Sequence, residues 1–273
     1  MEFDVDELLK IDGVRRAKLT ELEAMRAELN SVSDAIPKIT NETDKTRAIE
    51  GMREFKRKLS DKEKEFAVAD EEYTRLMYLV PNIPDPSVPD GDSDADNQEV
   101  RQWGKRPEFS FTPKDHITLL KDLDLVDFDR GTKVAGFRGY VLKKEAMRIS
   151  MALWQFAVDH ISKKGYQSMI VPSLAREENF YGTGYFPQGK EEVYRTQDDM
   201  ALVGTAEVST MGMFADETLR EEDLPLKIVA LSPCYRREIG AHGKDTKGLY
   251  RVHEFMKVEQ VVLCRADHMD SVR

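Results

Sequence analysis

Between residues 5 and 80 the apolar side chains recur at alternating intervals of three and four, a spacing that a helix turns into one continuous stripe. Leu22, Met25, Leu29, Val32, Ile36 and Ile39 form the first stripe; Leu8 and Ile11 fit it upstream, where Arg15 and Lys18 fall on the extrapolated seam. Met52, Phe55, Leu59, Phe66, Ala69, Tyr73, Leu76 and Val80 form the second, with Lys62 as its polar interruption. Two helices of about 30 residues, each roughly 45 Å long, follow from the rise per residue. Residues 37–46, between the stripes, are rich in turn formers and poor in apolar residues, so the chain should reverse there. Each stripe needs a cover and the nearest is the other, which predicts an antiparallel hairpin. A parallel dimeric coil is the alternative, disfavoured because the turn interrupts the heptads.

Pro81 ends the second helix, and the Pro- and Asp-rich run to Asn97 reads as a domain boundary. Beyond it the pattern is mixed. Helices are predicted over 114–123 and 144–164, the second closed by Gly165. Strands are predicted over 134–142, 166–171, 193–195, 200–203, 226–235 and 249–263, joined by turns as an antiparallel sheet requires. No run approaches eighteen apolar residues, and the acidic start Met1-Glu2-Phe3-Asp4 lacks the pattern of a secretory signal. A cytosolic protein without a membrane partner is expected. Cys234 and Cys264 are the only cysteines; they read as two buried free thiols, with no spacing for a disulfide framework or a zinc site. A formal net charge of −10 argues against coating nucleic acid through bulk charge, though not against a local basic strip.

Residues 232–259 are the most informative: a strand, a polar Gly-rich loop and a returning strand. Arg236, Glu238, Arg251, Lys257 and Glu259 put charge on the strands themselves, where a covered structural hairpin would carry little. Two arginines on opposite strands can clamp phosphate or carboxylate groups, a nearby carboxylate can hold an amine, and Phe255 can stack on a flat ring. A solvated, ion-paired hairpin explains the same composition.

Arg236-Arg-Glu238, followed by a loop and Arg251-Val-His-Glu-Phe255, resembles motif 2 of class II aminoacyl-tRNA synthetases, and the stretch is most similar to the seryl-tRNA synthetase family. Thr205-Ala-Glu207 resembles the family's serine-binding segment. Gly182-Thr-Gly184, the run from Gly165 to Pro172, residues 79–89 and Pro113-Lys-Asp-His116 match further family segments. The resemblance implies an α+β fold: an N-terminal antiparallel two-helix coiled-coil arm, followed by an incomplete class II synthetase antiparallel sheet with flanking helices. It divides the chain into a tRNA-binding arm over 1–80, a linker over 81–112 and a partial catalytic domain over 113–273.

Carried over, the resemblance gives Arg236 the α-phosphate of ATP and the serine carboxylate, as the catalytic residue. Thr205, Ala206, Glu207 and Glu259 would join it around serine, with Glu259 pairing its ammonium or its side-chain hydroxyl. Arg237, Glu238, Arg251, Val252 and Phe255 would join it around ATP, with Glu238 on the adenine amino group, Val252 giving a backbone contact, Phe255 stacked on adenine and Arg251 on the distal phosphates. Magnesium would come with ATP, and zinc is not expected. The loop 240–248, with His242, Lys244 and Lys247, would meet the tRNA end, although a plain surface loop fits equally. Arg47, Arg53, Lys56, Arg57, Lys58, Lys62 and Lys64 form a basic strip near the arm's turn, suited to tRNA(Ser) and diluted by Glu50, Glu54, Asp61, Glu63 and Glu65. His116 and His253 read as structural. A homodimer is expected through the helix over 144–164 and the strand ending at Pro172.

Against the family pattern, the chain is expected to be truncated at both ends, without the third motif and its arginine. Two readings follow: a fragment of a serine-activating enzyme, or a noncatalytic tRNA-binding or coiled-coil interaction protein derived from the same fold. A ligase that charges a carrier protein is more remote.

Overall fold

The computed structural model describes residues 3–239 and 247–268. The chain divides into two compact units, Met1–Gln102 and Trp103–Arg273.

The first unit is a helical hairpin of α1 (Val5–Ala35) and α2 (Glu42–Met77). The Asp4 carboxylate caps α1 by accepting from the Glu7 amide at 3.0 Å, and Asn41 caps α2 through the amides of Thr43 and Asp44. That cap is why α2 starts before residue 46: the second half of the predicted turn is acidic first-turn sequence. Leu22, Leu59 and Leu76 are the buried residues of the two helices. The polar residues on the seam have partners across it. Arg15 reaches Asp70 and lies over the Tyr73 ring at 4.2 Å, Lys18 reaches Glu65 at 2.7 Å, and Lys62 reaches Glu21 at 3.1 Å. Glu21 holds the Lys62 ammonium above the usual lysine range. Nearer the turn, Leu29, Val32, Ala48, Gly51, Met52 and Phe55 border a cavity of about 290 Å³.

The irregular stretch 78–115 contains one short turn of 3-10 helix, Asp94–Asp96. The second unit opens with α3 (His116–Asp122), β1 (Val126–Asp127), α4 (Phe128–Ala135), β2 (Val141–Leu142) and α5 (Lys144–Ser162). The strand predicted over 134–142 shortens to β2 because α4 runs into Gly136, whose φ of 79° suits glycine. Then follow β3 (Gln167–Ile170), β4 (Leu174–Arg176), α6 (Glu177–Gly182), β5 (Met200–Leu202), α7 (Ala206–Gly212), β6 (Leu226–Tyr235) and β7 (Glu254–Leu263). The strand predicted over 193–195 is a single bridge, Arg195 to Ala201.

The principal sheet has the order β3-β6-β7. β6 and β7 pair antiparallel as expected, from Leu226↔Leu263 to Tyr235↔Glu254. β3 instead runs parallel to β6, which the long connection through α6 and α7 permits. Two apolar clusters flank α7: Phe180, Phe186, Val203 and Val208 in one, Val171, Ala206, Ile228 and Ala230 in the other. Because α7 contributes to both, its first turn is held against β6 and β7. Cys234 is buried on β6, whereas Cys264, expected to be buried too, is half-buried just past the end of β7.

α4 and the chain at 139–140 meet backbone to backbone. A Cβ on Gly131 would strike the Cα and N of Tyr140, and one on Gly139 would strike the Gly131 carbonyl. Gly131→Ala is therefore expected to lower stability by about 1–3 kcal/mol, read as a fall in urea midpoint at an unchanged m-value.

Candidate active site

Of the charged residues expected on the strands, Lys257 and Glu259 lie on β7, whereas Arg236 and Glu238 follow the end of β6 and Arg251 precedes β7; the backbone there is tied across the hairpin. The Arg236 amide donates to His253 O, and His253 Nδ1 donates back to Arg236 O, each at 3.0 Å. The structural reading of His253 fits this clamp. Past β6, Arg236 and Glu238 line a cleft that Arg237 does not.

Arg236, Glu238, Leu249, Tyr250, Arg251, Val252 and Phe255 line one cleft of about 430 Å³. The Arg236 guanidinium lies over the Phe255 ring at 5.3 Å. Its Nε and Nη2 both donate to Gly204 O at 3.2 Å, which leaves three of its five N–H groups for a ligand. Glu238 has a left-handed backbone, φ 55°, a cost of order 1 kcal/mol for a residue with a side chain. Its carboxylate accepts from Arg251 Nη1 at 2.8 Å, so the two groups assigned to opposite ends of a nucleotide face each other.

Gly204 leads directly to Thr205, the N-cap of α7. Thr205 Oγ1 donates to Glu259 Oε2 at 2.7 Å and accepts from Lys257 Nζ at 3.0 Å; Lys257 also pairs with Glu259. The Cys234 thiol on the facing strand is pushed up by burial, against a Ser232 hydrogen bond and the nearby charges of Lys257 and Arg236. Arg236, through Gly204, thus joins an aromatic, charged cleft to a small polar cluster. This arrangement can hold a flat ring and phosphates beside a short polar molecule.

Ala206, Glu207 and Arg237 are not among the residues that line the cleft. The Ala206 side chain is fully buried in the core, so it offers a ligand only backbone. Glu207 is exposed on the first turn of α7. Arg237 is docked on a 3-10 turn, Gln188–Glu192, with Nη1 donating to Glu191 O at 3.1 Å and its amide to Glu192 O at 2.9 Å. Sequence reading missed Gly204, Leu249 and Tyr250. Leu249 and Tyr250 were assigned to strand, but β7 begins only at Glu254. Their placement is set by His116, whose Nε2 accepts from the Leu249 amide at 3.4 Å and whose ring contacts Tyr250 at 4.4 Å. His242 and Lys244 lie outside the described residues. In the arm, Arg47, Arg53, Lys56, Arg57, Lys58 and Lys64 are exposed, while Lys62 is committed to the seam.

Among the described residues no group of three or more His, Cys, Asp or Glu could hold a metal, and no helix is long and apolar enough to cross a membrane.

Comparison with known proteins gives matches in both units. Residues 1–84 match the seryl-tRNA synthetase N-terminal domain, and residues 191–273 match the tRNA synthetase class II core domain (G, H, P, S and T). The serine--tRNA ligase of Rubrobacter xylanophilus is 40% identical over 95% of this chain and 62% of its own length. That of Dictyoglomus turgidum is 38% identical over 99% and 64%. Among solved structures, the seryl-tRNA synthetase from Pyrococcus horikoshii complexed with ATP superposes with a TM-score of 0.80 at 35% identity, covering 98% of this chain and 65% of that one. The cytoplasmic serine-tRNA ligase from Naegleria fowleri in complex with AMP gives 0.73 at 29%, covering 94% and 59%. The chain thus spans under two thirds of the length of these relatives.

Proposed function

Because this chain belongs to the seryl-tRNA synthetase family, we propose that its second unit binds ATP and serine for the formation of seryl-adenylate, and that its arm binds tRNA(Ser) for the transfer that follows. The observation that carries this reading is the shared wall: Arg236 borders the cleft of about 430 Å³ and is bonded to the residue preceding Thr205. The ATP named in the Pyrococcus horikoshii complex supports the nucleotide half. In this reading residues 1–80 are the arm, 81–112 a linker and 113–273 part of the catalytic domain.

The chemistry needs no covalent enzyme intermediate. A serine carboxylate oxygen attacks the α-phosphorus of ATP, the bond to the bridging oxygen breaks and pyrophosphate leaves. Charge gathers on the α-phosphoryl oxygens, where the free N–H groups of Arg236 can meet it. Phe255 stacks on adenine, and Val252 offers its backbone. Glu238 turns from Arg251 to the adenine amino group, which frees Arg251 for the distal phosphates. The Thr205–Glu259 cluster takes serine, and alanine is rejected because it leaves a buried polar group unpaired. Magnesium would come with ATP, and no step of this account is routed through it. The site of action is the cytoplasm, and the complete enzyme is a homodimer.

The experiment is serine-dependent ATP–pyrophosphate exchange, measured for this chain alone and with the C-terminal part of a relative supplied. Exchange in either condition supports the reading. Binding of tRNA(Ser) with no exchange in both would favour the noncatalytic module instead.

A further inference from the structure

Lys257 sits on β7 two residues before Glu259, on the strand face it shares with Phe255. Its Nζ donates to Thr205 Oγ1 at 3.0 Å and pairs with Glu259 Oε2, and Thr205 Oγ1 donates to that same oxygen at 2.7 Å. An ammonium has only donors and a hydroxyl has one proton. Thr205 must therefore accept from Lys257, and its proton is committed to Glu259. The three groups close a ring with a single arrangement of hydrogens. Thr205 is buried, but the side chains of Lys257 and Glu259 keep 34% and 22% of their exposure, so a ligand can reach the ring.

Charge decides what the ring can take. A bare carboxylate draws a second ammonium, whereas one already paired with a lysine has little net charge left to attract one. It still accepts a hydrogen bond from a neutral hydroxyl. Both contacts fall on Oε2, which leaves Oε1 outside the ring. We propose that Lys257 is a positioning residue that makes Glu259 a hydroxyl acceptor, so that the pocket separates a hydroxylated amino acid from its deoxy counterpart. This inference rests on the serine-activation reading and refines it.

Binding of seryl-sulfamoyladenosine and alanyl-sulfamoyladenosine, followed by calorimetry, tests it without requiring turnover. The wild-type chain should prefer the seryl compound. Lys257→Met should cut that preference by about tenfold, the size of one lost charge-assisted hydrogen bond, with ATP affinity unchanged. Lys257→Arg should restore most of it. A Met variant that keeps the preference overturns the proposal, as does one that loses affinity for both compounds equally, the signature of a structural role. Lys257→Gln is measured alongside and is judged by the same ratio, should the Met variant melt early. A wild-type chain with no preference overturns the serine reading itself and this inference with it, an outcome distinct from a preference that ignores Lys257.

Discussion

Arg236→Ala is expected to reduce serine-dependent ATP–pyrophosphate exchange by about 10²–10³-fold, the usual cost of removing a donor aimed at charge that develops in the transition state. The measurement belongs in whichever condition, chain alone or complemented, gives exchange with the wild type. Alanine also leaves Gly204 O without its two donors, a loss of about 1–3 kcal/mol if that oxygen stays buried. Arg236→Lys separates the two effects. Lysine keeps the charge but cannot present a planar fork over Phe255 while bonding Gly204 through two nitrogens. Exchange should therefore fall almost as far in the Lys variant, with the melting temperature closer to wild type. A Lys variant with near-normal exchange would reduce Arg236 to a point charge and remove the bidentate role.

Leu22→Ala is expected to destabilise the arm by about 2–5 kcal/mol. Leu22 is 1% exposed, and only Leu59 and Leu76 are buried beside it among the described residues of α1 and α2. So small a core loses a large part of its stability with one side chain. The check is helical circular dichroism during heating, where the variant should show an early loss of signal. tRNA(Ser) binding should weaken in parallel, while binding of ATP by the second unit stays at its wild-type level. If ATP binding fell as well, the separation of labour between arm and catalytic domain would be wrong.

The hairpin was legible because a three-four repeat sustained over many turns has one physical solution. Its charged seam positions looked like defects from one helix alone. They become partners once Arg15 faces Asp70 and Lys62 faces Glu21, a matching that sequence distance conceals. β6 was legible to its end residues because alternation survives along a two-faced strand. α7 was not, since its seven residues are too few for a helical period to show. Leu249 and Tyr250 carry strand-like residue types, but His116, far off in sequence, holds their backbone in the cleft wall. The ring of Thr205, Lys257 and Glu259 was half visible. Thr205 and Glu259 came through family resemblance, whereas the lysine's part depends on a contact across 52 residues.

The cavity near the turn of the hairpin bears on how local stability is distributed along the arm. Leu22, Leu59 and Leu76, together with the ion pairs Arg15–Asp70, Lys18–Glu65 and Glu21–Lys62, all lie on the side of the arm away from that turn. The turn side has Gly51 and an unfilled space in their place. With fewer buried apolar side chains there, amides on the turn side are expected to exchange hydrogen faster than those around Leu22 and Leu59.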